Sequence, residues 1–225
     1  MHRATFCKHL GTDFAVRFAR GFVHDEIRNL HNPFTGEMPE SHPPQTRTIM
    51  SSDKHPLKYA DEKDRSYGLV GMAISLTVFD GGDMLSAINL DNEPGEGAEM
   101  APEFHFAGNP NVGIGAAWRH SVKQFELSAA MFIGNALCRA YVARSISITP
   151  KTNKAMRAMV EQVGNETCSL ESDEVDRLYD RVHDNLERIF MHSRVASVAN
   201  DFAETLRNRR RLTSAEVADA LSSLM

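Results

Sequence analysis

Seven carboxylates fall between Ser66 and Trp118, and no lysine or arginine accompanies them. They are Asp80, Asp83, Asp91, Glu93, Glu96, Glu99 and Glu103. Carboxylates and backbone carbonyls in a glycine-bearing loop suit hard cations such as Ca²⁺ or Mg²⁺. The densest part is Asp91-Asn92-Glu93-Pro94-Gly95-Glu96-Gly97-Ala98-Glu99, and His105 follows it. The candidate metal ligands are therefore Asp91, Glu93, Glu99 and His105. The spacing departs from an EF-hand, which needs a bidentate acid at its last position. The other reading is a solvated acidic loop, or a contact surface for a basic protein partner. His120 flanks the stretch on its far side.

A second charged feature has the opposite sign. Arg207, Arg209, Arg210 and Arg211 cluster between two predicted helices. Such a cluster can grip phosphates, or it can favour the negative C-terminal end of the preceding helix. GxSxG, HExxH, paired CxxC and an intact Walker A are all absent from the sequence, so the common hydrolase, zinc-protease and NTPase signatures are missing.

Two short motifs carry a likeness to known families. Gly108 to Gly115 reads GNPNVGIG and resembles the phosphate-binding loop of GTPases, which begins GNPNVGKS. Ile114 and Gly115 stand where that loop has its lysine and serine. The phosphate charge and the magnesium hydroxyl are thus both lost, and what is left is a generic anion site at a helix start. His24-Asp25 resembles the adjacent pair of HD-type phosphohydrolases, with His9 and His31 as further candidate ligands. That chemistry needs a fuller set of His and Asp ligands around a metal.

The elements that must position these groups follow from periodicity. Trp118, Val122, Phe125, Ala129, Phe132, Ala136 and Ala140 recur in steps of four and three. That predicts a long helix over 109–145, with Asn109 as N-cap and Pro110 at N1. Phe14, Phe18 and Phe22 predict a helix over 12–30, whose other face carries Arg17, Arg20, His24 and Arg28. Residues 31–66 hold five of the nine prolines and read as a long loop. Met72, Ile74, Leu76 and Val78 alternate with small residues, and Met84, Ile88 and Leu90 resume the alternation after Gly81-Gly82. Two such runs joined by Gly-Gly predict a β-hairpin. Glu103 to Ala107 is a candidate third strand. Thr149-Pro150 predicts a helix ended by Gly164, and Ser172-Asp173-Glu174 opens another, with a bend near His192. Thr213-Ser214-Ala215-Glu216 fits a capping box ahead of a last short helix.

The expected fold class is α+β, mainly α. A small antiparallel sheet over 69–107 packs on helices of a bundle formed by 12–30 and 109–225, all within a single domain spanning 1–225. The 225 residues, 42% hydrophobic and 24% charged, permit one core of good size. Net charge −5 counts against wholesale nucleic-acid or anionic-membrane binding. Cys7, Cys138 and Cys168 are widely spaced and read as reduced thiols of a cytoplasmic protein. Leu127 to Ala143 approaches the length of a membrane span, but it contains Asn135 and Arg139, so it reads as a buried core helix.

The leading expectation is a non-enzymatic cytoplasmic interaction or assembly protein that self-associates, without cofactor or membrane contact. Its motivation is long helices with ample apolar surface, small residues around Gly134 that admit close packing, and segregated charge. The alternative is a hydrolase-type metal-dependent enzyme. It would use the acidic stretch 80–103 with His105 or His120 and a divalent cation. A weaker alternative is a nucleic-acid-associated protein using Arg207 to Arg211.

Overall fold

The computed structural model describes residues 58–105 and 114–224. The helix expected over 12–30 and the loop before Lys58 lie outside the described residues. So do the helix start at Asn109-Pro110 and most of the GNPNVGIG segment. Among the described residues, seven α-helices and a small three-stranded antiparallel sheet give a mainly helical α+β fold, in agreement with the expected class.

The first helix is also the main correction. Leu69 to Val78 was expected to be a strand, but it lies within α1, Glu62–Val78. Asp61 caps it, its carboxylate accepting the Asp64 N–H at 2.7 Å. Glu62 and Asp64 sit at the positive end of the dipole. The helix is buried on nearly every side, with Leu69, Val70, Ala73, Ile74 and Leu76 all inside. A helix covered all round has no polar stripe to display its 3.6-residue period. Alternating large and small residues then imitate a strand.

The hairpin at Gly81-Gly82 is consequently absent. The chain leaves α1 through Asp80, which adopts a positive φ of 54°. A single 3₁₀ turn, Gly82–Met84, leads into β1, Leu85–Asn89. The second alternating run was therefore a strand, with a different partner from the one expected. β1 is central, flanked by β2, Ala98–Met100, and by β3, Arg211–Thr213, both antiparallel to it. Ala87 pairs with Glu99 on one side and with Thr213 on the other. The third strand proposed at Glu103–Ala107 is instead a helical turn, α2, Pro102–His105.

α3, Ile114–Leu137, continues into a six-residue π-helical segment, Cys138–Ala143. Its inward stripe is Phe125, Ala129, Phe132, Ala136 and Ala140, all buried. Trp118 was assigned to that stripe but is 51% exposed. α4, Pro150–Cys168, is capped by Thr149 and passes straight through Gly164. It ends at Ser169, with φ 51°. Gly164 is there for contact: a Cβ on it would lie 2.8 Å from both Phe125 and Val175. α5, Ser172–Phe190, buries Val175, Leu178, Val182 and Leu186 as its spacing requires. The chain breaks at Met191 and His192, and α6 runs Ser193–Arg209. After β3, the Thr213–Glu216 capping box opens α7, Ser214–Leu221, and a 3₁₀ turn, Ser222–Leu224, follows.

α1 packs against α3, α6 and the π-helical segment, while α3 also rests on α4 and α5. One continuous core runs through these contacts and under the sheet. Among the described residues no helix is long and apolar enough to cross a membrane.

Candidate functional site

The two charged features of the sequence meet. Arg210 on the turn before β3 donates to Asp91 Oδ1 at 2.7 Å and to Glu62 Oε1 at 2.7 Å. Arg211 on β3 donates to Glu99 Oε2 at 2.7 Å. Glu99 also accepts from the side-chain amides of Asn89 and Asn92. The Arg211 hydrogen bond in particular holds the Glu99 carboxyl below its ordinary value. The Arg210 hydrogen bond does the same for Glu62. Arg209 pairs with Glu216, and Arg207 reaches Ser66 Oγ at 3.4 Å. Antiparallel pairing of β1 with both β2 and β3 brings these groups together.

Of the four expected metal ligands, Asp91 and Glu99 therefore face separate arginines. Glu93 is exposed, and its backbone carbonyl accepts the Glu96 N–H at 2.9 Å. His105 closes α2, and its side chain lies outside the described residues. His120 is half-buried on α3, with Nε2 enclosed and without a hydrogen-bond partner.

A buried ionic centre lies deeper in the fold. Arg139, 1% exposed, donates to Asp64 Oδ2 at 2.5 Å and to the Lys58 carbonyl at 2.8 Å. Its guanidinium stands 4.7 Å from the centroid of the Tyr59 ring. The Tyr59 hydroxyl accepts from Asn135 Nδ2 at 2.7 Å. Arg139 belongs to the π-helical segment, where one extra residue per turn re-aims side chains and releases a carbonyl. Arg144 Nε donates to that carbonyl, the Arg139 oxygen, at 2.9 Å. The arrangement clamps the chain entering α1 onto the end of α3. The membrane alternative for Leu127–Ala143 thus meets a buried ion pair within it, at Arg139.

No protein-family model, curated protein or solved structure matches this chain. The site must be judged on its own chemistry.

Two further places remain. The first is a cleft of about 370 Å³ lined by Ile74, Thr77 and Val78 of α1, Ile189 of α5, His192, Arg194 and Val195 at the start of α6, and Leu221 and Leu224. Met191, beside it in the chain, is 66% exposed. The lining contains no carboxylate, and its charged residue is Arg194, which also donates to the Ser223 carbonyl. The first turn of α6 forms part of the wall, so a helix N-terminus adds partial positive charge. The second is a group on α5: ligand atoms of His183, Asp184 and Glu187 all lie within 4.8 Å of one another. It is the group with metal-ligand proximity among the described residues. Neither place was singled out from the sequence. His183 and Glu187 stand at i and i+4, a spacing that puts both on one helical face, and this was the available signal. The cleft had none, because its lining comes from three separated stretches, 74–78, 189–195 and 221–224.

Proposed function

We propose that this protein is a non-catalytic interaction module whose cleft receives the apolar face of an acidic amphipathic helix from a partner protein. The observation that carries the reading is the composition of the cleft: six aliphatic residues together with Thr77, His192 and Arg194. Helix-in-groove recognition needs such an apolar trough, with polar groups at its edge to fix the register. Burying two or three anchor side chains supplies the affinity, and Arg194 with the α6 N-terminus selects negative charge beside them.

A partner fits better than a second copy. Among the described residues the large exposed hydrophobics are Trp118 on α3, Ile146 in the loop before α4 and Met191 at the α5–α6 break. The small-residue face around Gly134, which motivated the expectation of self-association, packs on α1 within the molecule. The acidic loop, expected to meet a basic partner, is held by the chain's own arginines.

The test uses three labelled helical peptides that share one leucine stripe but carry acidic, neutral or basic polar faces. Fluorescence anisotropy with the full chain should rank them acidic, neutral, basic, and Met191→Glu should weaken the acidic peptide most. Absence of binding by all three, or a preference for the basic one, overturns the proposal.

A further inference from the structure

We infer that His183, Asp184 and Glu187 bind one divalent cation of borderline softness, zinc fitting best, where α5 meets the π-helical end of α3. The site is independent of the cleft. Its donors are one imidazole nitrogen and two carboxylates, each contributing an atom within 4.8 Å of the others. Zinc holds nitrogen and carboxylate oxygen at about 2.0–2.2 Å, which sets donors about 3.3 Å apart around a tetrahedral ion. The remaining closure is small. Asp184 can provide it, because its side chain is 73% exposed and free to turn.

The unusual member is His183. It is 8% exposed and stacks on Tyr179, with ring centroids 5.6 Å apart. Its Nδ1 lies 3.4 Å from Asp184 Oδ1, and its Nε2 is enclosed without a hydrogen-bond partner. Nδ1, the nitrogen that faces Asp184, is the one placed to coordinate. The stacking fixes the ring plane, so the imidazole is already oriented. On the other side, the Tyr141 hydroxyl from the π-helical segment donates to Glu187 Oε1. Ligating carboxylates are commonly held by such a hydrogen bond, which orients them toward the ion. The nitrogen donor discriminates against Ca²⁺ and Mg²⁺, which prefer all-oxygen shells. Three protein donors would leave the fourth position to water.

Isothermal titration of the full chain with Zn²⁺ tests this, with Ca²⁺ and Mg²⁺ titrated in parallel. The chain has ten histidines, so the decision rests on variants. Asp184→Asn changes an exposed side chain and should leave the fold intact; Glu187→Gln preserves shape and a hydrogen-bond acceptor for Tyr141. Each should weaken the one-equivalent zinc event by at least about tenfold, the loss typical of disturbed metal sites. Zinc should also produce a near-ultraviolet tyrosine difference that Tyr141→Phe reduces, with Tyr179 on His183 supplying the rest. Native zinc affinity in either carboxylate variant overturns the inference. So does equal affinity for Ca²⁺ or Mg²⁺, or no zinc event in the unaltered chain.

Discussion

Gly71 of α1 and Gly134 of α3 meet at a crossing that leaves room for no side chain. A Cβ on Gly71 would lie 2.3 Å from the Gly134 carbonyl oxygen, and a Cβ on Gly134 would lie 1.8 Å from Ser75 Oγ. Ser75 is itself fixed there, donating to the Gly71 carbonyl at 2.7 Å. The contact sets the distance between α1 and α3, and Asn135, Arg139 and the α1 entry take their positions from it.

Gly134→Ala should therefore destabilise strongly, although alanine is ordinarily the better helix former. The obstruction on the Gly71 side is backbone, which cannot rotate away, so Gly71→Ala should be at least as costly. Overpacking of this kind costs about 1–3 kcal/mol or more. Gly115→Ala is the control: the nearest atom to its Cβ would be the end of the Arg119 side chain at 3.9 Å. Thermal melts should show a large loss for the first two variants and no loss for the third. Equal melting temperatures for all three would refute the close crossing.

The Asp64–Arg139 pair makes a prediction about acid. Burial alone would raise the Asp64 carboxyl. The Arg139 hydrogen bond, the Ala60 N–H and the charges of Arg139 and Arg144 outweigh it and hold the group below its ordinary value. A depressed folded pKa stabilises the fold above the unfolded value of about 3.9. That contribution disappears as pH falls through the folded value. Asp64→Asn removes the carboxylate that the buried Arg139 meets at 2.5 Å, and breaking such a buried pair costs about 3–5 kcal/mol. For a chain of this size that is a fall on the order of 10 °C in melting temperature near neutral pH. The gap between the two proteins should narrow below about pH 4. A gap that stays constant down to pH 2 would show that the ionised carboxylate is not what Arg139 requires.

Several of the legible parts of the fold are half-solvated or locally bonded. α5 shows a clean stripe because one face meets water, and the Thr213–Glu216 box was readable because both of its bonds are local. α1 was misread because it has no wet face. β3 is three residues long and pairs with a strand 126 positions away in the Ala87–Thr213 register, so nothing local announces it. The acidic stretch and the arginine cluster were both visible as sequence features. Their pairing was not, because it depends on β1 joining β2 to β3. At the metal group, the His183–Glu187 spacing was readable, whereas the contribution of Tyr141 depends on the π-helical segment.

That pairing leads to a prediction for calcium. Asp91 and Glu99 already have guanidinium partners at 2.7 Å, so a hard cation would have to displace them. Millimolar Ca²⁺ should move the melting temperature by less than about 2 °C relative to chelator, in keeping with weak surface pairs. Asp91→Asn and Glu93→Gln should not change that response. A calcium-selective rise well above this, abolished by the two substitutions, would restore the metal-dependent enzyme reading of the 80–103 stretch.

Met191 separates function from stability at the cleft. Its side chain lies at the α5–α6 break and is 66% exposed, so the fold gains little from it. Substitutions at such positions usually alter stability by no more than about 0.5 kcal/mol. Met191→Glu should therefore melt with the unaltered chain. It also places a carboxylate beside a cleft whose polar lining is Thr77, His192 and Arg194. The new charge competes for the same positive groups and repels an acidic helix, so binding of the acidic peptide should weaken by about tenfold or more, roughly the scale of a lost rim anchor together with like-charge repulsion. Met191→Lys, equally tolerated by the fold, should retain much of that binding, because it adds positive charge where it removes apolar area. If the two variants lose affinity equally, the apolar contact alone recognises the partner, and the role assigned to Arg194 fails. If neither loses affinity while the acidic peptide still binds, the peptide is held elsewhere and the cleft is not its site.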